Sequence, residues 1–147
     1  MSDERNDDAL KLESQLCFPL YAASREVIKR YHPFLDELGL TYTQYIAMLV
    51  FWEEKKISVK ELGKRLFLDS GTLTPVLKSL ESKGCVHRER CAEDERVLMV
   101  EITPAGEALR EKALSVPAKV AGCVRLDKDE ARTLHRLLYK LLSDPSR

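Results

Sequence analysis

Ser70, Thr72, Thr74 and Lys78 fall on one side of a stretch whose other side carries Leu73, Val76, Leu77 and Leu80 at i, i+3, i+4 and i+7. That spacing predicts a helix with one apolar face and one small, polar face. Short hydroxyl side chains and unpaired N-terminal N–H groups suit phosphates and base edges, whereas bulky side chains would hold the helix away from a groove. A second candidate centre is Cys17, early in a helical stretch, where unpaired N–H groups and the helix dipole favour negative charge. A thiolate there can attack a peroxide O–O bond and become a sulfenic acid. Tyr21, at i+4, shares a helix face with Cys17, and a phenol is a neutral donor able to hydrogen-bond a thiolate. Both residues also have plainer roles: a lone cysteine on an amphipathic helix is usually a small buried hydrophobe, and a tyrosine near a helix end is usually an amphipathic anchor.

The elements that must position these residues are legible around them. Ser58-Val59-Lys60-Glu61 reads as a capping box that opens a short helix with the apolar stripe Val59, Leu62 and Leu66. Phe67, Leu68 and Asp69 make a tight turn into the polar-faced helix, with Asp69 or Ser70 as its N-cap, and two short helices so joined are a helix-turn-helix. Pro75 sits inside the second helix and removes one of its hydrogen bonds. Past Gly84, a C′ glycine, strands are expected over 86–90 and 97–102, with 91–96 as the tip of a hairpin. Such a wing carries Arg96 toward the minor groove, where a narrow width favours guanidinium insertion. Lys64, Arg65, Lys78, Arg88, Arg90 and Arg96 are the basic residues available to this face, although acidic residues interrupt it.

The remaining chain is helical by pattern. One helix is expected from 12 to about 38, interrupted or kinked near Pro19, and Thr41-Tyr42-Thr43-Gln44 caps another that runs to about 54. Thr103-Pro104 opens a helix to about 122 with a kink at Pro117, and Asp127-Lys128-Asp129-Glu130 caps a last one bearing Leu134, Leu137, Leu138 and Leu141. The fold class is therefore mainly α with a small β-hairpin wing: a winged helix-turn-helix flanked by N- and C-terminal dimerisation helices. One domain is expected over 1–147, with 57–103 as the DNA-binding unit and 12–54 and 104–142 as mainly dimerisation and sensing helices. Apolar stripes at both termini can pair across a two-fold axis and set two recognition helices about one DNA turn apart.

Composition is compatible with this and does not prove it. The 147 residues are 44% hydrophobic, enough for one core, and 24 basic residues balance 24 acidic ones, so nucleic-acid binding rests on clustering and not on net charge. The longest uninterrupted apolar run, over 45–52, is too short for a membrane span, and 1–10 reads as a polar, frayed arm. Four cysteines without a secretory signal point to free thiols in a reducing cytosol. Cys85 and Cys91, with only His87 nearby, do not have zinc spacing, and no metal or cofactor is expected. Cys85 is expected to be packed, and Cys91 to border an exposed loop.

The helix order, the segment Asp69-Ser70-Gly71-Thr72-Leu73-Thr74-Pro75 and the tip Asp94-Glu95-Arg96 resemble the MarR family of dimeric winged-helix regulators, over nearly the whole chain. The resemblance implies that Arg96 enters the minor groove while Asp94 orients it. Gln15-Leu16-Cys17-Phe18, Tyr21, Tyr31, Thr41-Tyr42 and Gln44-Tyr45 are similar to the organic-hydroperoxide-resistance branch of that family. That similarity implies that Cys17 senses peroxide and that Tyr31 and Tyr42 reach it from the partner subunit beside Tyr21; Phe18, Leu20 and Phe34 would supply apolar walls that favour an organic hydroperoxide over hydrogen peroxide. In one group of such regulators a small thiol caps the sulfenic acid, and in another a second cysteine closes an intersubunit disulfide. Cys123 lies where the resemblance puts that resolving thiol, and Cys85 and Cys91 have no such counterpart.

The resulting expectation is a non-enzymatic, cytoplasmic, homodimeric repressor. It would hold an inverted-repeat operator in double-stranded DNA, with Ser70, Thr72, Thr74, Lys78, Arg88, Arg90, Asp94 and Arg96 at the interface, and release it on oxidation of Cys17. A MarR-type repressor released by a small phenolic or antibiotic is the nearest alternative. A thiol peroxidase is a further one, but the chain lacks the acid, arginine and threonine setting such catalysts build around their cysteine. A partner-binding winged helix that never meets DNA is the last.

Overall fold

A computed structural model describes residues 7–143 of the chain. Residues 1–6 of the expected frayed arm lie outside the described residues. Two short 3-10 turns, Asp7–Leu10 and Leu12–Ser14, precede the first helix, and the Gln15 carboxamide ties them by donating to the carbonyls of Ala9 (2.7 Å) and Lys11 (2.9 Å). Helix α1 (Cys17–Asp36) therefore starts at Cys17 and not at residue 12. Pro19 falls in its first turn, where no helical N–H bond is lost, so the kink expected there has no cause.

Helix α2 (Tyr42–Glu54) opens on the full capping box of Thr41 and Gln44 and is buried along most of its length. Helix α3 (Val59–Leu66) has only half of its expected box. The Ser58 hydroxyl accepts from the Glu61 N–H at 3.1 Å, but the Glu61 carboxylate takes Lys64 at 3.1 Å. A left-handed Phe67 (φ 56°) turns the chain, Asp69 caps helix α4 (Ser70–Ser82), and Gly84, at φ 77°, turns it again into the sheet.

Strand β1 (Lys56–Ser58) was not expected: three residues are too few to show a period-2 pattern. It makes the hairpin of β2 (Val86–Arg90) and β3 (Leu98–Ile102) into a three-stranded antiparallel sheet of order β1-β3-β2, with Ile57 opposite Val100 and Val86 opposite Ile102. The single helix expected up to 122 is two, α5 (Pro104–Ala113) and α6 (Val116–Ala121). A continuous helix would drive the Pro117 ring into the Ala113 carbonyl, so the chain breaks just before it. Helix α7 (Lys128–Leu142) begins, as expected, on the capping box of Asp127 and Glu130.

Leu35, Met48, Phe51, Leu62, Leu73, Leu77, Leu80, Val100 and Val116 are fully buried and knit α1, α2, α3, α4, β3 and α6 into one core. The Trp52 indole N–H donates to the buried Gly106 carbonyl at 2.9 Å and pins α5 to α2. Helix α7 buries no residue at all. Leu134, Leu137, Leu141 and Leu142 are exposed on it, as are Leu16, Phe18 and Leu20 at the start of α1. No helix among the described residues is long and apolar enough to cross a membrane.

Candidate functional site

The polar face of α4 is presented by a close joint. A Cβ at Gly63 of α3 would lie 2.7 Å from the Leu68 carbonyl oxygen, so only glycine lets the turn fold back this far, and Leu68 N–H donates to the Gly63 carbonyl at 3.0 Å. Leu73, Leu77 and Leu80 are sunk in the core, which leaves Ser70, Thr72, Thr74 and Lys78 outward. The Asp69 carboxylate accepts the Thr72 N–H at 2.7 Å, and this bond holds its pKa below the usual carboxylate range. Thr74 is less free than its position suggested. Its hydroxyl donates to the Ser70 carbonyl at 2.8 Å, so its proton is spent inside the helix and its methyl and lone pairs remain.

The wing tip is self-organised. Val97 N–H donates to the Asp94 carbonyl and Cys91 N–H to the Val97 carbonyl, closing the loop. Arg96 then donates three times to the Asp94 carboxylate: from its N–H (3.0 Å) and Nε (3.0 Å) to Oδ1, and from Nη2 (3.2 Å) to Oδ2. These bonds, the side-chain ones first, lower the Asp94 pKa, while the Arg96 side chain stays 91% exposed. Arg88 is ion-paired too, but its side chain is only 21% exposed. Its backbone N–H donates to Glu81 Oε2 (2.8 Å) and its guanidinium reaches Oε1 (3.1 Å), which lowers the Glu81 pKa and braces β2 against α4. Arg65 is likewise taken by Glu53 and Glu54, and Lys64 by Glu61. The basic face thus narrows to Lys78, Arg90 and Arg96, and the first two are exposed.

Cys17 is exposed on the first turn of α1, beside the uncovered Leu16, Phe18 and Leu20. Tyr21 stands one turn on, but its hydroxyl accepts from Arg25 Nη1 at 3.2 Å, with that guanidinium 5.5 Å from the ring centre, and only its own proton is left to offer. Tyr31 and Tyr42 meet far from there, edge to face with ring centres 5.0 Å apart, and Tyr45 joins them at 5.8 Å from Tyr31. Tyr45, which the sequence offered only as part of a motif, is therefore a member of the cluster. Burial raises the pKa of all three phenols, so they are neutral donors at physiological pH. Fourteen residues of helix separate Cys17 from Tyr31, about 21 Å along the axis. Phe34, with Lys119 over its ring, belongs to the tyrosine end, so of the three expected apolar walls only Phe18 and Leu20 lie near Cys17 along the chain.

Cys123 is exposed just past α6, and Arg30 Nη1 donates to its carbonyl at 2.7 Å. That bond, invisible in the sequence, ties Cys123 to the far half of α1, thirteen residues or about 20 Å of helix from Cys17. Cys85 is buried, as expected, and its thiol pKa is raised by that burial against a smaller opposing effect of Lys83. Cys91 is half-buried at the base of the wing loop.

The family of transcriptional regulators described as SarA/Rot matches residues 29–113, a span that runs from the tyrosine end of α1 through the winged unit to the end of α5. The chain belongs to this family of MarR-like winged-helix regulators. It is 46% identical over 139 residues to the organic hydroperoxide resistance transcriptional regulator of Bacillus subtilis (strain 168), covering 95% of each chain. Among solved structures, overoxidised AbfR bound to DNA is 35% identical with a TM-score of 0.75, covering 92% of this chain and 96% of that one. Disulfide-formed AbfR is 34% identical with a TM-score of 0.64, over 93% and 96%. These relatives are regulators, so the winged helix is not an enzyme and the peroxidase alternative falls.

Proposed function

We propose that this regulator is a cytoplasmic homodimeric repressor that holds an inverted-repeat operator while Cys17 is reduced and releases it when an organic hydroperoxide oxidises Cys17. Ser70, Thr72 and the upper face of α4 read the major groove, Lys78 and Arg90 contact phosphates, and Arg96, aimed by Asp94, enters the minor groove. Arg88 braces the wing, and Thr74 contributes shape more than a donated bond. Relatives crystallised on DNA support this use of the winged unit.

The redox step balances as two displacements. The Cys17 thiolate attacks the O–O bond, an S–O bond forms, and the alkoxide leaves as an alcohol after taking a proton. The thiol of Cys123 of the partner subunit then attacks the sulfenic sulfur, an S–S bond forms, and water leaves. Tyr31 and Tyr42 of the partner subunit, with Tyr21, are the neutral donors to the thiolate.

The observation that carries this reading is the Arg30–Cys123 bond. It sets Cys123 at the end of α1 that also carries Tyr31, with Cys17 at the other end, so within one chain the thiol has Tyr21 beside it but meets neither Tyr31 and Tyr42 nor its resolver. An antiparallel second α1 would bring the two ends together, and the uncovered apolar faces of α1 and α7 offer the surface for it. The existence of a disulfide form of AbfR and of an overoxidised form still bound to DNA favours the disulfide as the releasing species.

Non-reducing gels test it. Cumene hydroperoxide should give a covalent dimer and loss of operator binding in the parent, and neither in Cys17→Ser; Cys123→Ser should lose the dimer and release slowly or only with an added small thiol, while Cys85→Ser and Cys91→Ser follow the parent. A dimer that persists without Cys123 overturns the assignment. One second reading has an observation behind it: a cleft of 380 Å³ lined by Tyr45, Leu49, Trp52, Glu53, Arg110, Leu114 and Pro117 suits a small aromatic anion. Release by such a ligand would survive Cys17→Ser.

A further inference from the structure

Gln44 is the one buried polar side chain among the described residues, 6% exposed in a helix whose other buried positions are Tyr45, Ala47, Met48, Val50, Phe51 and Trp52. A buried carboxamide costs stability unless every polar atom is satisfied, and a leucine or methionine would fill the place without that demand. Here both ends are used. Oε1 accepts from Thr41 N–H at 3.1 Å and from Lys83 Nζ at 2.8 Å, and Nε2 donates to Ser79 Oγ at 2.9 Å. Helix capping explains the first bond only. The other two run to the last turn and C-cap of α4, the helix that carries Ser70 and Thr72, and the Lys83 ammonium goes on to the Gly39 carbonyl in the α1–α2 turn.

We propose that the Gln44 carboxamide is a positioning joint that transmits the state of the tyrosine cluster to the recognition helix. Tyr42 and Tyr45 flank Gln44 on α2, so any shift of that helix end on loss or gain of a thiolate partner displaces the carboxamide with them. Apolar contacts tolerate sliding, whereas hydrogen bonds weaken steeply with misdirection. The last turn of α4 must follow the carboxamide or lose two bonds at once. Seven residues separate Ser79 from Thr72, about 10 Å of one unbroken helix that includes Pro75, and through that length the displacement reaches the DNA-facing end. The joint rests on the redox reading above.

Ser79→Ala removes the joint's bond to the last turn of α4 and leaves the Lys83 bond and the α2 cap intact; Gln44→Met removes the whole joint at nearly constant volume; Ser79→Thr restores a hydroxyl. Each is titrated, reduced and after cumene hydroperoxide, against a duplex selected from random sequence by the reduced parent, and sulfenic acid at Cys17 is trapped in parallel. Expected for Ser79→Ala and Gln44→Met are trapping at the parental rate, reduced affinity near the parent's, and a ratio of oxidised to reduced Kd that falls by about tenfold, within the usual span of coupling between sites. Ser79→Thr recovers the ratio. Should Gln44→Met not fold, the Ser79 pair decides alone. A responsive parent with an equally responsive Ser79→Ala overturns the joint and leaves the redox reading standing; a parent whose affinity ignores oxidation overturns both.

Discussion

The winged unit and the thiol end of α1 are built to different degrees of completion. In the unit from β1 to β3, Leu73, Leu77 and Leu80 of α4 are buried, the wing tip closes on its own Asp94–Arg96 bonds, and Glu81 braces the strand that leads to it. At the other end, Leu16, Phe18 and Leu20 stand open, α7 buries nothing, and Cys17 is about 20 Å of helix from Arg30, which holds Cys123. A single chain therefore shapes the winged unit but leaves the Cys17 end uncovered; in the function proposed above, a second copy would cover those faces and bring the partner's groups to the thiol.

The contrast can be broken most forcefully in the core. Leu73→Ala, at a fully buried site, should cost about 2–5 kcal/mol in urea unfolding whatever the protein concentration. Leu137→Ala, half-exposed in the isolated chain, should instead weaken self-association, so that its midpoint shifts with concentration. Equal, concentration-independent costs would erase the distinction between the two ends.

A smaller effect belongs to the wing. Arg96→Ala should weaken operator binding by about 1–3 kcal/mol with little loss of thermal stability, because its bonds are local and its side chain is open to solvent. Binding as tight as the parent's would remove the wing from the interface. Smaller again, Lys78→Ala should lower the salt slope of binding by about one and weaken all sequences alike, whereas Thr72→Ala should blunt discrimination between operator and random duplex.

The smallest effect is a matter of pH. The Asp94 carboxylate is held below its usual range by Arg96, so its contribution is complete above the ordinary aspartate value of ~3.9 and is lost only as pH falls through its lowered folded value. The Arg96 amide resonance should accordingly titrate with a midpoint under ~3.9 and stay flat through the physiological range. A midpoint at or above that value would mean that the tip is not pre-formed.

What the sequence determined by itself is what lies within a few residues along the chain. Capping at Thr41, Ser58, Asp69, Thr103 and Asp127 and the apolar stripe of α4 follow from backbone geometry over one helical turn, while the pairing of Asp94 with Arg96, two residues apart, was implied by the family resemblance. The start of α1 and the break before Pro117 were missed for local reasons too: the Gln15 carboxamide holds the preceding turns apart from the helix, and the proline acts one turn upstream of itself. Only the tertiary structure decided the rest. The pairing of β1, the meeting of Tyr31 with Tyr42 and Tyr45, the capture of Arg88 by Glu81, the reach of Gln44 to Ser79 across 35 positions and of Arg30 to Cys123 across 93 depend on how finished elements pack. No local pattern records such contacts, because each is fixed by the core that brings distant segments side by side.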